Sequence, residues 1–364
     1  MNKSKTALIL ISALACLTVF LLTGRYGTLL GSSFIAMTVT LLVTPLIKKK
    51  FEGIGLVAMD VQKKERPKMA TSGGVPIIIG FLIGIFTYIA YTTFISKADT
   101  NLTIIFSGVT MTLLMTLLTG LFDDMIIQPE RKTSKGEKDT RAGLRQKDKL
   151  ILSFIAVIPL MVVNAGNSMI NLPFIGSVNL GLIYPLILIP LIIVFCSNSY
   201  NMLAGMNGLE TSLGVVLLSS AGVYSLLYGN IEGALIALIT AGSLIGFLYY
   251  NKHPAKFLPG DSLTYFIGAN FAASIIIGNI EKFALIAFMP WFIEFILKAR
   301  LKFKASSLGV LQSDGTIKPK HDKIYSWTHI GMRLFKKEKY VTLFLTGVVS
   351  VFCALAFIIS WLTI

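Results

Sequence analysis

Two adjacent carboxylates, Asp123 and Asp124, are the residues whose type and position most directly suggest chemistry. They follow an uncharged apolar run, 102–122, at the end where a helix dipole disfavours negative charge. Two neighbouring acids also repel each other, which raises the pKa of one or recruits a cation. A polar stop for the helix is the alternative interpretation, but so unfavourable a placement favours a catalytic role.

The segment 198–210 reads NSYNMLAGMNGLE and contains no Lys or Arg. Its three asparagines, Asn198, Asn201 and Asn207, supply amide oxygens and amide donors beside two glycines. Such groups suit a hard cation or a sugar nucleotide. Capping by Asn and Gly, at the end of one helix and the start of the next, explains the segment equally well from the sequence alone.

Asp261 follows a Pro-Gly pair and precedes another apolar run, 262–280. Asp is a favourable helix N-cap, and this structural role is the simpler interpretation. A functional role gains support because the predicted topology places Asp261 on the same membrane face as Asp123 and Asp124. The three acids could hold one Mg²⁺, or Mn²⁺ in its place, since Mg²⁺ prefers a few carboxylates with waters and phosphates. The presence of only three histidines argues against a multi-histidine metal site.

Basic and glycine-containing loops accompany these acids. Residues 60–76 read DVQKKERPKMATSGGVP, in which Ser-Gly-Gly lets backbone amides approach a phosphate. Each single cation could serve only topology or contact with anionic lipid. Together with the acids and amides, however, the cations are the components of phosphoryl transfer, in which positive charge neutralises phosphate. Four further cations of this kind are Lys149, Lys302, Lys304 and His321.

The elements that must position these residues are predicted from hydropathy. The chain has 364 residues, of which 54% are hydrophobic and 14% charged, whereas soluble domains carry about 25% charged residues. Uncharged runs of roughly 20 residues can cross a bilayer, and in lipid they must be helical. We therefore expect an all-α polytopic membrane protein with about eleven transmembrane helices. The runs are 7–23, 29–47, 75–95, 102–122, 150–166, 182–197, 211–229, 233–250, 262–280, 283–293 and 340–364.

The loops between these runs divide sharply by charge. Of 33 Lys and Arg residues, the alternate loops on one side contain all but Arg25, Lys97 and Lys282. Cytoplasmic loops collect Lys and Arg, so this side is predicted to be cytoplasmic, with the N-terminus inside and the C-terminus outside. The net charge of +15 then reflects topology, and nucleic acid is not an expected partner.

The N-terminal part of the chain is predicted to be an addition to the main membrane domain. Residues 1–28 would form an extra transmembrane helix, followed by a membrane domain over 29–364. A signal peptide is the alternative for the run 7–23, because Lys3 and Lys5 precede sixteen apolar residues.

Two other segments carry specific expectations. The outer loop 165–181 contains Asn, Pro and Gly, and we expect a short hairpin there. The tenth helix is expected to continue to about residue 303, because Glu294 and Lys298 are spaced to pair on one helix face. That helix would carry Lys302 and Lys304 into the cytoplasm.

The chain resembles the polyprenyl-phosphate N-acetylhexosamine-1-phosphate transferase superfamily. The resemblance rests on the Asp123-Asp124 pair, the NxxNxLAGxNGLE segment, the Gly-Asp pair before a helix and the KLxL start at Lys149. Order and topology also match, over residues 32–362. The chain is most similar to eukaryotic and archaeal dolichyl-phosphate GlcNAc-1-phosphate transferases, since bacterial members carry Asp where this chain has Ala204 and Asn207.

The resemblance implies a role for each candidate residue. Asp123 and Asp124 would act at the reacting phosphates, and Asn201 and Asp261 resemble the Mg²⁺ ligands. The lipid phosphate would be bound by Lys149, Asn198 and Asn201. UDP-GlcNAc contacts are implied for Asp60, Val61, Thr71 and Asn207, with Asn207 at the position of the uridine contact, and Lys302, Lys304 and His321 would replace a pyrophosphate-binding Arg-His-Arg cluster that this chain lacks.

The implied activity is Mg²⁺-dependent transfer of GlcNAc-1-phosphate from UDP-GlcNAc to a polyprenyl or dolichyl phosphate, the first membrane step of an N-glycosylation-type glycan assembly. The expected setting is the plasma membrane or an ER-equivalent membrane, with the active site cytoplasmic and a homodimer as one option. Three alternatives stay open: another UDP-N-acetylhexosamine, a secondary transporter of an anionic solute, and a binding protein with an inactive site. Transporters usually place polar groups near the bilayer midplane, where these spans are uncharged.

Overall fold

The computed structural model is mostly helical. Among the residues that the structure describes, six helices are long and apolar enough to cross a membrane by length and composition, so the chain is a polytopic helical membrane protein. The first predicted span, 7–23, lies outside the described residues, and the count of eleven spans stays a prediction. The structure describes residues 24–95, 100–126, 131–132, 138–139, 143–172 and 176–362.

Twelve helices occur in these described ranges. Each of the ten uncharged runs from 29–47 onward falls on one or two of them, as expected where apolar length dictates helix position. A π-helical turn, Tyr184–Leu188, leads directly into the fifth helix. The helices are α1 Gly24–Gly53, α2 Gly74–Phe94, α3 Thr100–Met125, α4 Gln146–Val162, α5 Ile189–Met202, α6 Leu209–Leu227, α7 Ile231–Asn251, α8 Gly260–Gly278, α9 Glu281–Ala287, α10 Met289–Ala299, α11 Trp327–Phe335 and α12 Glu338–Leu362.

The strands of the described chain form four antiparallel pairs in the connections between helices. The pair β5–β6 confirms the hairpin predicted in the loop 165–181, with Met169 opposite Asn179. In the first connection, Val57 lies opposite Ala70. The pairs are β1 Val57–Met59 with β2 Lys68–Ala70, β3 Arg131–Lys132 with β4 Lys138–Asp139, β5 Met169–Leu172 with β6 Gly176–Asn179, and β7 Gly309–Leu311 with β8 Ile317–Pro319.

Helix α8 lies at the centre of the bundle, packed against α3, α5 and α7. Nearly all of its side chains are buried, and its small residues allow neighbouring backbones to come close. At Gly268, an added Cβ would lie 2.4 Å from the carbonyl oxygen of Cys196, so α5 and α8 touch along their backbones. Contact on several sides fixes the first turn of α8, where Asp261 lies.

Two glycines bring α2 and α3 against that first turn. An added Cβ at Gly120 would lie 2.4 Å from the carbonyl oxygen of Asp261. One at Gly74 would lie 2.6 Å from the carbonyl carbon of Ser262. Because real Cβ atoms do not approach other atoms so closely, glycine is needed at both positions. The backbone of Asp261 is therefore located by direct contact among three helices.

The tenth predicted helix differs from expectation. It is divided into α9 and α10 at Phe288, and α10 ends at Ala299 rather than near residue 303. The predicted pair is confirmed, with Lys298 Nζ 3.5 Å from Glu294 Oε1. The backbone N–H of Phe303 returns to the Lys298 carbonyl group at 2.9 Å, which closes a terminal turn. The prediction that the helix extends through the lysines at 302 and 304 is therefore wrong.

Replacing Gly120 by Ala tests the packing around α8. The added methyl group would overlap the Asp261 carbonyl group, and overpacking of this kind costs about 1–3 kcal/mol. We expect Gly120→Ala to lower the thermal unfolding midpoint of the detergent-solubilised protein by a few degrees. Gly347→Ala in α12 is the matched control, because nothing lies within 4 Å of its added Cβ. Equal midpoints for the two variants would contradict the close contact.

Candidate active site

The ammonium group of Lys149 lies between two carboxylates from different helices. Its Nζ is 2.6 Å from Oδ2 of Asp261 and 3.0 Å from Oδ2 of Asp123. Lys149 comes from the first turn of α4, Asp261 from the first turn of α8, and Asp123 from the last turn of α3. Residues far apart in the sequence therefore meet at one end of the bundle, the site end.

Asp124 binds the start of α8 rather than the ammonium group. Its carboxylate accepts the backbone N–H groups of Asp261 at 2.8 Å and Ser262 at 3.1 Å, and the hydroxyl of Ser72 at 2.8 Å. The N-terminus of a helix favours an anion, so this contact offsets the unfavourable position of Asp124 at the end of α3. Asp124 thus caps α8. The interpretation of Asp261 as the N-cap is wrong, because Pro259 is at the N-cap position and the Asp261 carboxylate, in the first turn, accepts from Lys149 and Asn201.

Two asparagines of the amide-rich segment contact α8. The Asn201 amide nitrogen donates to Oδ2 of Asp261 at 2.9 Å, and its oxygen accepts the hydroxyl of Thr264 at 2.8 Å. The Asn198 oxygen accepts the hydroxyl of Tyr265 at 2.9 Å. Both asparagines lie within α5, so the capping interpretation is wrong for them.

Three carboxylates and one ammonium group make the site end negative. Asp123 and Asp124 lie after the uncharged run 102–122, which is the part predicted to cross the membrane. Burial, followed by repulsion from the Asp261 carboxylate, raises the pKa of Asp123 to about 7 and that of Asp124 to about 6. Burial lowers the pKa of Lys149, but the carboxylates of Asp261 and Asp123 outweigh it, so this pKa is raised. The cluster therefore holds its ammonium group firmly and has negative charge left for a second cation or a proton.

The donors at the site end fit a hard cation that keeps part of its own hydration. Asp123 and Asp261 offer carboxylate oxygens, and Asn201 offers an amide group beside them. Across the described parts of the chain, no three His, Cys, Asp or Glu side chains are grouped as a metal site. Mg²⁺ is commonly bound by one or two carboxylates together with substrate phosphates, which matches this small donor set.

A second polar group of residues, the Asn207 cluster, consists of Asp60, Lys63, Asn207 and Glu338. The Asn207 amide nitrogen donates to Oδ2 of Asp60 at 2.9 Å and to Oε1 of Glu338 at 2.8 Å. The structure thus brings together Asp60 and Asn207, two residues predicted to contact the nucleotide sugar. Nothing in the sequence marks Glu338, because an acid in the first turn of an apolar helix is an ordinary helix start.

Two other predicted residues lie in the first loop, which is the connection 54–73 between α1 and α2. They differ in exposure. Val61 is 39% exposed beside Asp60, whereas Thr71 is buried where the connection enters α2. The neighbour of Thr71, Ser72, makes the side-chain contact with Asp124. The sequence therefore singled out the loop that contacts the acid pair but missed Ser72, the residue that makes the contact.

Three predicted cations lie in the last loop, which is the connection 300–326 between α10 and α11. They lie apart from both clusters. Lys302 and Lys304 are exposed, and their side chains join neither cluster among the contacts of the described residues. His321 packs against the rings of Tyr325 and His329. Burial, followed by the charge of His329, lowers the pKa of His321. In this structure none of the three contacts the Asn207 cluster.

The last loop is nevertheless fastened to the end of α5. The side chains of Lys298 and Ser307 both donate to the carbonyl oxygen of Met202, the latter at 3.0 Å. Glu294, the partner of Lys298, accepts the backbone N–H of Trp327 at 2.8 Å. The buried ion pair that the helical spacing predicted therefore also ties α10 and α11 to the amide-rich segment.

The chain is similar over nearly its whole length to two archaeal proteins, and over a smaller part to other relatives. The glycosyl transferase family 4 model matches residues 106–279. A protein of Saccharolobus solfataricus, provisionally named a UDP-N-acetylglucosamine–dolichyl-phosphate N-acetylglucosaminephosphotransferase, is 33% identical over 92% of this chain and 97% of its own length. A Sulfolobus acidocaldarius protein with the same provisional name is 30% identical over 94% and 99%. The Saccharomyces cerevisiae enzyme of that name is 28% identical over 72% and 65%.

Proposed function

Because the chain belongs to the polyprenyl-phosphate N-acetylhexosamine-1-phosphate transferase superfamily, we propose that it transfers GlcNAc-1-phosphate from UDP-GlcNAc to a polyprenyl or dolichyl phosphate. The products would be lipid-pyrophosphate-GlcNAc and UMP. The names of the relatives support both substrates, since each names UDP-N-acetylglucosamine and dolichyl phosphate. The observation that carries the proposal is the Lys149 ammonium group between Asp123 and Asp261, with Asn201 beside it.

The proposed reaction forms one P–O bond and breaks another. A phosphate oxygen of the lipid attacks the β-phosphorus of UDP-GlcNAc. The bond from that phosphorus to the oxygen bridging the α-phosphate breaks, and its electron pair leaves on UMP. A phosphate monoester has a second pKa of about 6, so the nucleophile is already anionic near neutral pH and needs little base catalysis.

The Lys149 ammonium group is the positive charge at the site end that could bind this anionic acceptor. A lipid phosphate would compete with Asp123 and Asp261 for the Lys149 ammonium group and so free their carboxylate oxygens. Asp123 would orient the acceptor or take its residual proton. Asp124 would hold the first turn of α8, because its oxygens are already bound by backbone N–H groups of that turn. Positioning and charge compensation are the main catalytic contributions in phosphoryl transfer.

The proposed cofactor is Mg²⁺, with Mn²⁺ as a substitute, held by Asp261 and Asn201. When bound, the ion would neutralise charge on the phosphates of the nucleotide sugar. The hard oxygen donors around Lys149 support this assignment, as does the excess of carboxylates over cations at the site end.

The nucleotide sugar would lie between the first loop and the amide-rich segment, beside Asp60, Val61 and Thr71. Lys302, Lys304 and His321 of the last loop are proposed to bind its pyrophosphate, although their side chains make no direct contact with Asp60 or Asn207 among the described residues. The site end is proposed to face the cytoplasm, because the basic loops lie on it.

Doubly labelled UDP-GlcNAc tests the proposed function. The protein would be reconstituted in vesicles containing a long-chain polyprenyl phosphate and given substrate with ³²P at the β-phosphorus and ³H in the sugar. We expect both labels to enter the lipid in a constant ratio, with one UMP released for each lipid modified. Parallel reactions with other UDP-N-acetylhexosamines would identify the preferred sugar.

Two results would contradict the proposal. Transfer of the sugar label alone, with UDP as the product, would indicate simple glycosyl transfer. Uptake of label into the vesicle lumen without UMP would indicate secondary transport of an anionic solute.

Removal of metal tests the cofactor. In excess chelator, UMP release should fall at least about 100-fold, because phosphate charge then loses its main compensation. Added Mg²⁺ should restore the rate, and Mn²⁺ should support at least part of it. Full turnover by protein shown to be metal-free by mass spectrometry would exclude the proposed cofactor.

A further inference from the structure

The outward surface of α7 changes from apolar to aromatic to basic toward the site end. Ile245 and Tyr249 are each 46% exposed on the helix, and Lys252 and Lys256 are exposed just after it. We call these four residues the α7 face. Because α7 has 21 residues, it is about 30 Å long, which is the thickness of the hydrocarbon core. The two lysines therefore lie at the level where phospholipid headgroups begin.

One aromatic ring of the α7 face gathers both ammonium groups. The Nζ atoms of Lys252 and Lys256 lie 5.4 Å and 5.9 Å from the centroid of the Tyr249 ring, at distances where a tyrosine ring attracts cations. Tyr250 packs edge-on against this ring, with 5.1 Å between the centroids, and its hydroxyl donates to the carbonyl oxygen of Leu41 at 3.0 Å. The ring that holds the two lysines is therefore fixed to α1 as well as to α7.

The positive charge of the α7 face is not compensated by acids of the protein. In the described parts of the chain, neither Lys252 nor Lys256 forms an ion pair with a carboxylate, whereas Lys48 at the end of α1 pairs with Glu52 at 2.6 Å. Two ammonium groups beside one ring repel each other, and a phosphate group bound between them would relieve this repulsion through charge-assisted hydrogen bonds. The charge of this surface therefore complements an anionic partner.

An open apolar groove of about 350 Å³ continues the α7 face between α1 and α7. Its lining includes Phe34, Met37, Gly242 and Ile245. Gly242 precedes Lys252 by ten residues, which corresponds to about 15 Å along a helix and to half of the hydrocarbon core. An acyl chain whose headgroup lies at the two lysines would therefore run past Tyr249 and end in this groove.

We propose that the α7 face binds an anionic phospholipid of the leaflet at the site end, with its phosphate between Lys252 and Lys256 and one acyl chain in the groove beside α1. A phospholipid fits better than a soluble phosphate, because the surface next to the lysines is apolar and continuous with the groove. This surface is separate from the site around Lys149, whose residues come from α3, α4, α5 and α8. The bound lipid would anchor the connection from α7 to the first turn of α8, where Asp261 lies.

A photoactivatable phospholipid tests the proposal. The protein would be reconstituted in phosphatidylcholine vesicles that contain a small fraction of phosphatidylglycerol with a diazirine near the end of one acyl chain. After irradiation, mass spectrometry should find the lipid on peptides that contain Met37 or Ile245, at the groove. A phosphatidylcholine probe with the same diazirine should label these peptides at least about tenfold less, because its headgroup has no net charge.

Variants that remove or keep charge identify the headgroup site. Lys252→Gln with Lys256→Gln should lower labelling by the phosphatidylglycerol probe at least about tenfold, because both cations are lost. Lys252→Arg with Lys256→Arg keeps both charges and should be labelled within about threefold of wild type. Lys49→Gln with Lys50→Gln is the matched control, since it removes two exposed charges at the end of α1. Its labelling should stay within about twofold of wild type.

Undiminished labelling after loss of both lysines, or equal labelling by the two probes, would overturn the proposal. Oxidation of Ile245→Cys protein tests whether protein rather than lipid covers the groove. A disulfide from position 245 to Cys16, which lies outside the described residues, would show that the N-terminal part of the chain covers it. A disulfide between the 245 positions of two copies would show that a second copy does. We expect neither, and either one would overturn the proposal.

Discussion

The positive N-terminus of α8, held inside the bundle, is the constraint on which the site depends. Gly74 of α2 and Gly120 of α3 lie so close to this terminus that neither position has room for a capping side chain. Asp124, further along α3, supplies the anion that the terminus requires. The negative charge of Asp124 is unfavourable at the C-terminus of α3, but the N-terminus of α8 stabilises it. The side chain of Asp261 is released from capping and reaches Lys149 and Asn201 instead.

The amide-rich segment joins the two polar clusters. Asn201, at its α5 end, contacts Asp261, and Asn207, near α6, contacts Asp60 and Glu338. Between them, the Met202 carbonyl group is bound from α10 and from the last loop. Three helices (α8, α10 and α12), the first loop and the last loop therefore converge on one short segment. This segment therefore fixes the relative positions of the proposed metal-binding residues and the proposed nucleotide-binding residues.

Hydropathy predicted the positions of the described helices well except for α11, which lies on no apolar run, because in lipid apolar length and backbone hydrogen bonding leave few alternatives. The meeting of Asp123, Lys149 and Asp261 at one end of the bundle also follows from the predicted topology with the family resemblance. Local rules failed where a distant helix supplies the partner. Asp261 looks like an N-cap until Asp124 is brought to it from α3, and Glu338 looks like an ordinary helix start until Asn207 is folded against it. The end of α10 is set by a terminal turn that its charge pattern does not encode.

The rate of UMP release by Asp261→Asn, compared with Asp148→Asn, tests the central claim most directly. Asp148 is an exposed acid in the first turn of α4, next to Lys149, so both variants lose one negative charge near the same place. We expect a loss of at least about 100-fold for Asp261→Asn, and a similar loss for Asp124→Asn. We expect a rate within about twofold of wild type for Asp148→Asn. Wild-type rates in folded Asp261→Asn and Asp124→Asn protein would contradict the assignment of the site end as the active site.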